Sequence, residues 1–165
     1  MSSAVSPVPK GFHTLTPHIV VNDAKAAADF YHRAFGAEVM GLSLGPDGKV
    51  MHAQVRIGDS ILMFADEYPE FGSPAPSTTK ADTCVRLHLY VEDADKVFAS
   101  AVEAGAQVIM PVMTQFWGDR YGQVVDPFGH RWSIATHVKD LTPEEMKAAA
   151  EEAMAKAKAK TAGGS

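Results

Sequence analysis

The chain has 165 residues, of which 46% are hydrophobic and 21% are charged, so it contains enough apolar material for a folded core. Its formal net charge is −5, and its lysines and arginines are scattered, which argues against a nucleic-acid-binding protein because such proteins need a basic face. Cys84 is the single cysteine, which excludes an internal disulfide framework and predicts a protein of the reducing cytoplasm.

The beginning of the chain predicts neither an export signal nor a membrane anchor. No segment reaches the roughly 18 consecutive apolar residues that a membrane-spanning helix needs. The first residues also lack the basic, apolar and small-residue pattern of a signal peptide. We therefore expect no membrane partner, and residues 1–12 are predicted to be a disordered lead-in. Cys84 is interpreted as a small buried residue of a strand.

Residues 13–66 predict a first β-α-β-β-β module. After a short strand, Asp23 is placed to cap the N-terminus of a helix that stops at Gly36, where a left-handed backbone suits glycine. Apolar residues at helical spacing form its buried stripe, namely Ala27, Phe30, Tyr31 and Ala34. Turn-forming residues then separate three further strands, predicted at 37–44, 49–57 and 60–65.

The same pattern occurs a second time in residues 83–138, after a linker at 67–82 that is rich in proline, serine and threonine. At an offset of 70 residues His18 aligns with His88 and Asp23 with Asp93, and at an offset of 69 Gly36 aligns with Gly105. Strands are predicted at about 107–115, 120–126 and 130–136. Such internal repetition predicts two copies of one structural unit.

Residues 139–165 predict a C-terminal helical tail. Thr142, Pro143 and Glu145 stand at the cap, first and third positions of a helix start. The helix that follows is rich in alanine, glutamate and lysine, which favours a solvated or partner-packing helix. Residues 163–165 are expected to be frayed.

Strand alternation indicates which side chains face a ligand pocket. In the first strand of each module, one face is apolar and suits packing under the helix, and the other carries polar residues. The polar faces hold the candidate ligand-binding residues Thr16, His18, His52, Gln54, Arg86, His88 and Ser133. Several histidines and arginines on an inward-facing surface favour ligand binding. The alternative is that each histidine makes one structural hydrogen bond.

The run from Trp117 to Tyr121 is the second candidate element. Trp117 and Tyr121 offer stacking faces, Arg120 offers an anion contact, and Asp119 is a candidate partner that orients Arg120. The alternative is a tight turn in which Trp117 covers the core.

These features together resemble the vicinal oxygen chelate superfamily, which includes glyoxalases, bleomycin-resistance proteins and ring-cleaving dioxygenases. The motifs that carry the resemblance are VNDAKAAADFYHRAFGAE, VEDADKVFASAVEAGAQV and VVDPFGHRWSI. The runs MHAQVRIGDSILMFADE and FWGDRYGQVVDPFGHRW resemble its PhnB-like branch in particular. The resemblance implies an α+β fold of two tandem β-α-β-β-β modules whose concave mixed sheets surround a pocket, with the helices outside. It also implies a homodimer.

Metalloenzymes of this superfamily hold one divalent ion at positions that the resemblance places at Thr16, Met63 (or Leu62), Arg86 and Ser133. None of these is a good ligand, so we expect no metal and no other cofactor. The favoured hypothesis is a protein that binds a small planar or anionic compound. One alternative is a metal-dependent lyase, isomerase or dioxygenase with a displaced site at His18, His52 and His88. Another is a metal-free acid–base enzyme in which His88 is catalytic and Arg86 lowers its pKa.

Overall fold

The computed structural model describes residues 5–162, so residues 1–4 of the predicted lead-in and the predicted frayed end at 163–165 lie outside it. The strands of the described residues are β1 (His18–Val21), β2 (Glu38–Leu44), β3 (Val50–Ile57), β4 (Ser60–Asp66), β5 (Arg86–Tyr90), β6 (Gln107–Thr114), β7 (Asp119–Val125) and β8 (Arg131–His137). The helices are α1 (Ala24–Phe35), α2 (Pro76–Thr79), α3 (Ala94–Ala104) and α4 (Pro143–Ala162), with a 3-10 turn at Pro69–Phe71.

The strands form two four-stranded mixed sheets with the orders β1-β4-β3-β2 and β5-β8-β7-β6. In both sheets the first strand pairs in parallel with the last one, and the register places His18 opposite Met63 and His88 opposite Ser133. The predicted repeat and the predicted α+β class are confirmed. The two sheets do not join into a closed barrel, and within the described residues β1 and β5 each keep one unpaired edge.

The helix caps follow the sequence prediction. The side chain of Asp23 accepts from the backbone N–H of Ala26 at 2.9 Å, and that of Asp93 accepts from Lys96 at 3.0 Å. Helix α1 ends at Gly36, whose φ of 66° is the left-handed conformation that glycine adopts without strain. These local contacts satisfy N–H groups that a helix leaves without partners at its start.

Helices α1 and α3 pack against each other, and each also covers its own sheet. A buried carboxylate, Asp126, joins the two modules at this junction. Its Oδ2 accepts from the hydroxyl of Tyr31 at 3.0 Å and from Nε1 of Trp132 at 2.9 Å. Burial, together with the charge of Asp126, raises the pKa of Tyr31 well above its usual value. Because each helix covers one face of its own sheet, the helices leave the other face of each sheet uncovered.

One sequence prediction about a single residue is wrong. Cys84 is exposed and precedes β5, so it is not a buried strand residue. Strict alternation along β3 would place Met51 on the helix-covered face with Ala53, but Met51 is 57% exposed while Val50 is fully buried. The register between β2 and β3 shifts at this point, and such a bulge reverses the alternation of side chains.

The linker and the tail have local structure of their own. Glu67 accepts from the backbone N–H of Ala75 at 2.8 Å and from the hydroxyl of Thr78 at 2.6 Å, and these bonds lower its pKa. At the start of α4, Thr142 and Glu145 form the predicted reciprocal cap. In the part of the chain that the structure describes, no helix is long and apolar enough to cross a membrane.

Candidate functional site

Alternate residues of β5, β7 and β8 point away from the helices and form what we call the second-sheet face. Its polar and aromatic members are Arg86, His88, Tyr90, Asp119, Tyr121, Gln123, Arg131, Ser133 and His137. The strand register places Tyr121 opposite Ala135 and Asp119 opposite His137, so β7 and β8 bring these side chains side by side. The backbone pairing alone therefore gathers residues that are up to about fifty positions apart in the sequence.

Asp119 is the centre of this face. It is only 3% exposed, and three side chains donate to its carboxylate. Oδ1 accepts from Nδ1 of His137 at 2.8 Å, while Oδ2 accepts from Nε1 of Trp117 at 3.0 Å and from the hydroxyl of Tyr90 at 3.2 Å. A buried carboxylate is stable only when it is paired or hydrogen-bonded in this way. Asp119 thus holds two aromatic rings and one imidazole in fixed positions.

His137 lies between two carboxylates. Its Nε2 contacts Oδ1 of Asp140 at 2.9 Å, and its Nδ1 contacts Asp119. The bond to Asp140 and then the bond to Asp119 raise the pKa of His137 above its usual value. The same carboxylate acts on Tyr90, whose pKa is raised by burial first and by Asp119 second.

His88 lies among aromatic rings. Its Nδ1 is 2.7 Å from the hydroxyl oxygen of Ser133, which is 1% exposed. The ring centroid is 4.6 Å from that of Tyr90, edge to face, and 5.9 Å from that of Tyr121, nearly parallel. Burial lowers the pKa of His88, and the charge of Asp119 opposes this shift. The predicted direction is therefore correct, but burial rather than Arg86 is its cause.

A cleft of about 1230 Å³ runs along the free edge of β5. Residues of both modules line it, among them Thr16 and Ile61 from the first and Arg86, His88, Tyr90 and His137 from the second. Arg86 is exposed, and within residues 5–162 no carboxylate or other acceptor pairs with its guanidinium. Its neighbour in the register, Arg131, is held by Asp82 at 3.0 and 2.6 Å. Of this adjacent pair of arginines, Arg86 is the one available to a ligand.

The remaining histidines lie on the other sheet. His18 and His52 meet edge to face with a centroid distance of 5.8 Å, and Gln54 lies opposite Met63 in the strand register. A smaller cavity of about 450 Å³ adjoins His18, and Met51 and Tyr68 also line it. These residues do not meet the second-sheet face within one chain.

Two predicted site residues lie elsewhere than expected. Thr16 precedes β1 and donates its hydroxyl to the carbonyl of His13 at 3.1 Å, so it is not a strand residue. Arg120 binds Asp95 through Nε at 3.0 Å and through a second, shorter contact, on the helix-covered side of β7. The prediction that Asp119 orients Arg120 is wrong, because neighbouring residues of a strand point to opposite faces.

Sequence reasoning did not include Tyr90, Gln123 and His137 in the site. Tyr90 follows His88 by two residues and His137 follows Ser133 by four, so strand alternation was a sufficient signal for both. Gln123 donates from Nε2 to the hydroxyl oxygen of Tyr121 at 3.1 Å, and no short motif marks it.

The residues present do not fit the divalent ion of the metal-dependent relatives. A threonine hydroxyl, a thioether and a guanidinium are poor ligands for such an ion. The hydroxyl of Ser133 already bonds to His88. Across residues 5–162, no three His, Cys, Asp or Glu side chains lie close enough together to hold a metal. The alternative displaced site also fails within one chain, since His18 and His52 lie on one sheet and His88 on the other.

Comparison with known proteins agrees with this fold. An uncharacterized protein of Mycobacterium tuberculosis is 44% identical over 137 residues, which cover 82% of this chain and 81% of that protein. The Escherichia coli protein YjdN is 26% identical over 141 residues, 73% of this chain and 92% of its own length.

Solved structures give the same result. The structure of the gene product At5g48480 from Arabidopsis thaliana aligns with a TM-score of 0.60 and 28% identity, over 75% of this chain and 98% of that one. A PhnB protein from Bacillus cereus aligns with a TM-score of 0.56 and 19% identity over 75% and 96%, a likeness of fold alone. The sequence profile described as Glyoxalase/Bleomycin resistance protein/Dioxygenase superfamily matches residues 11–134. The chain belongs to the glyoxalase, bleomycin-resistance and dioxygenase superfamily, as its repeated motifs indicate.

Proposed function

We propose that this protein binds a small planar organic anion at the second-sheet face, in the cleft along β5, without a divalent ion. The observation that carries the proposal is Arg86, a guanidinium with no partner among the described residues, next to an ordered group of aromatic rings. A guanidinium binds a carboxylate or phosphonate through two parallel hydrogen bonds.

The aromatic side chains at the second-sheet face favour a planar ligand. Tyr90 and Trp117 are both fixed by Asp119, and Tyr121 contacts Trp117 edge to face at a centroid distance of 5.3 Å. Rings that are already held in place lose little conformational entropy when a ligand stacks on them. Small-molecule sites are typically concave and lined by apolar and aromatic side chains with a few placed polar groups.

We further propose that a second copy of the chain closes the site. Tyr90 of the second-sheet face is 66% exposed, and within the described residues β1 and β5 each keep one unpaired edge. Exposed strand edges are normally covered by another element or another chain. Together with the family resemblance, these features favour a homodimer in which a second module closes the site. Light scattering should give a mass near twice the 17.7 kDa of one chain, and a monomer at all concentrations would refute this part of the proposal.

The binding proposal is tested by replacing Arg86 and titrating aromatic carboxylates and phenylphosphonate by calorimetry. Arg86→Met removes the charge, and Arg86→Lys keeps the charge but loses the planar fork. Since charge-assisted hydrogen bonds contribute about 1.5–3 kcal/mol, Arg86→Met should weaken binding by roughly ten- to a hundredfold, and Arg86→Lys by less.

Arg56→Met is the matched control, because Arg56 is a partly exposed strand arginine of the first sheet that pairs with Glu38. It should leave binding unchanged. If Arg86→Met lowers stability but leaves the affinity of the folded protein as it was, Arg86 is a structural residue and the proposal is wrong.

A further inference from the structure

The donor and the acceptor of the hydrogen bond between Ser133 and His88 can be assigned. Ser133 is only 1% exposed, and among the described residues the one hydrogen-bond partner of its hydroxyl is Nδ1 of His88, at 2.7 Å. A buried hydroxyl that does not donate loses a hydrogen bond, which is unfavourable. Ser133 therefore donates its proton to Nδ1, and Nδ1 is the acceptor.

This direction determines the tautomer of His88. A neutral imidazole carries one proton, so an accepting Nδ1 leaves that proton on Nε2. Burial lowers the pKa of His88, which favours the neutral ring. Within residues 5–162, Nε2 has no partner, and His88 lines the cleft. The free nitrogen is consequently a donor.

The carboxylate of the same face is already occupied. Asp119 takes hydrogen bonds from Tyr90, Trp117 and His137, and it is nearly fully buried. Arg86 can only donate. Toward the cleft, the second-sheet face thus offers the donors of Arg86 and His88, and the carboxylates that line the cleft, Asp59, Glu92 and Asp93, belong to loops outside this face.

We propose that His88 is a specificity-determining hydrogen-bond donor, with its proton held on Nε2 by Ser133, and that with Arg86 it selects ligands whose edge carries acceptor oxygens. The ligand class is a planar carboxylate or enolate, and an amine or amidine of the same shape is excluded. The selection of ligands rests on the proposed binding function, whereas the assignment of the tautomer does not.

The tautomer is measured by NMR of protein labelled with ¹⁵N in its histidine rings, at a slightly alkaline pH. The signals of His88 are identified by their loss in His88→Gln. We expect the proton on Nε2 and an unprotonated Nδ1, and Ser133→Ala should shift the Nδ1 resonance because it removes the donor. His18 is an internal control, since its strand partner Met63 has no hydroxyl. A proton on Nδ1 of His88 would overturn the assignment.

The selection between ligands is measured with benzoate and benzamidine. Both contain the same aromatic ring, but benzoate carries acceptor oxygens and benzamidine carries donor N–H groups. Benzoate should bind and benzamidine should not. His88→Gln retains an N–H near the position of Nε2 and should retain most of the benzoate affinity, whereas His88→Leu should weaken it about fivefold, the effect of one neutral hydrogen bond. Equal binding of both probes, or equal losses in both variants, would overturn the selection.

The two proposals fail in different ways. If Arg86→Met weakens benzoate binding but His88 carries its proton on Nδ1, the donor assignment is wrong and the binding function stands. If neither probe binds the wild-type protein while the proton is found on Nε2, the assignment stands and the ligand class is wrong.

Discussion

The sheet faces that the helices leave uncovered are made from the same repeated backbone in both modules, and they differ in chemistry. His18 and His88 occupy the same strand position, but His18 lies opposite Met63 and His88 lies opposite Ser133. On the second sheet a hydroxyl and a buried carboxylate order the rings around the histidine, whereas on the first sheet His18 contacts His52. Because strand pairing uses backbone groups, the outward side chains of each copy can differ without changing the fold.

The first backbone N–H of the long helix in each module needs a hydrogen-bond acceptor, and the two modules supply that acceptor with different residues. At the start of α1, the N–H of Ala24 donates to Asp66 at 2.7 Å, and at the start of α3 the N–H of Ala94 donates to Thr136 at 2.8 Å. Asp66 also accepts from the N–H of Val50 at 2.6 Å. The first N–H groups of a helix lack partners in the helix, so an acceptor at this position is required in both copies.

The largest effect should come from removing the carboxylate at the centre of the second-sheet face. Asp119→Asn keeps the shape but places an amide N–H₂ among three donors, so at least one buried donor loses its acceptor. We expect a loss of about 2–3 kcal/mol in the free energy of unfolding in urea, together with weaker binding of benzoate.

Asp66→Asn is the matched variant on the first sheet, where the acceptor serves backbone N–H groups. It should destabilise the protein by about 1–2 kcal/mol and leave benzoate binding as it is. If both variants lower the benzoate affinity alike, the two faces are not functionally distinct.

An effect of intermediate size is expected on the pH dependence of stability, because the pKa values of the two histidines of the second-sheet face are shifted in opposite directions. The pKa of His137 is raised above 6.5 by Asp140 and Asp119, so its stabilising contribution is complete below pH 6.5 and disappears as the pH rises through the folded-state pKa. The pKa of His88 is lowered by burial, so stability decreases as the pH falls from 6.5 toward the folded-state pKa.

Urea unfolding of His137→Gln and His88→Gln across pH 5 to 9 measures both contributions. The difference between wild type and His137→Gln should shrink above pH 6.5, and His88→Gln should remove part of the acid-side decline. Differences that stay constant with pH in both variants would show that neither shift exists.

The smallest effect should come from making the first sheet more like the second. Met63→Ser gives His18 a hydroxyl in the position that Ser133 has beside His88. We expect a loss of about 1 kcal/mol in stability from reduced apolar burial, and a change in the Nδ1 resonance of His18 in ¹⁵N NMR. An unchanged resonance would mean that equal strand positions do not create equal side-chain contacts.

The sequence by itself determined the repeated module, the order of its elements and the ends of its helices. Asp23, Asp93, Gly36 and Gly105 act on the backbone within a few residues of themselves, so their effect depends little on the rest of the chain. Strand alternation also indicated correctly that His88 and Ser133 share a face, because the two-residue period is a local property.

The tertiary structure alone decided which side chains meet on that face. Asp119 binds His137 and not its neighbour Arg120, which pairs with Asp95 of α3, and Arg86 keeps no partner among the described residues. A hydrogen bond requires two atoms to lie within about 3 Å of each other, and that placement depends on strand register and on packing between elements distant in the sequence. The two-residue period of a strand predicts on which face a side chain lies, whereas the hydrogen-bond partner of that side chain depends on the assembled sheet.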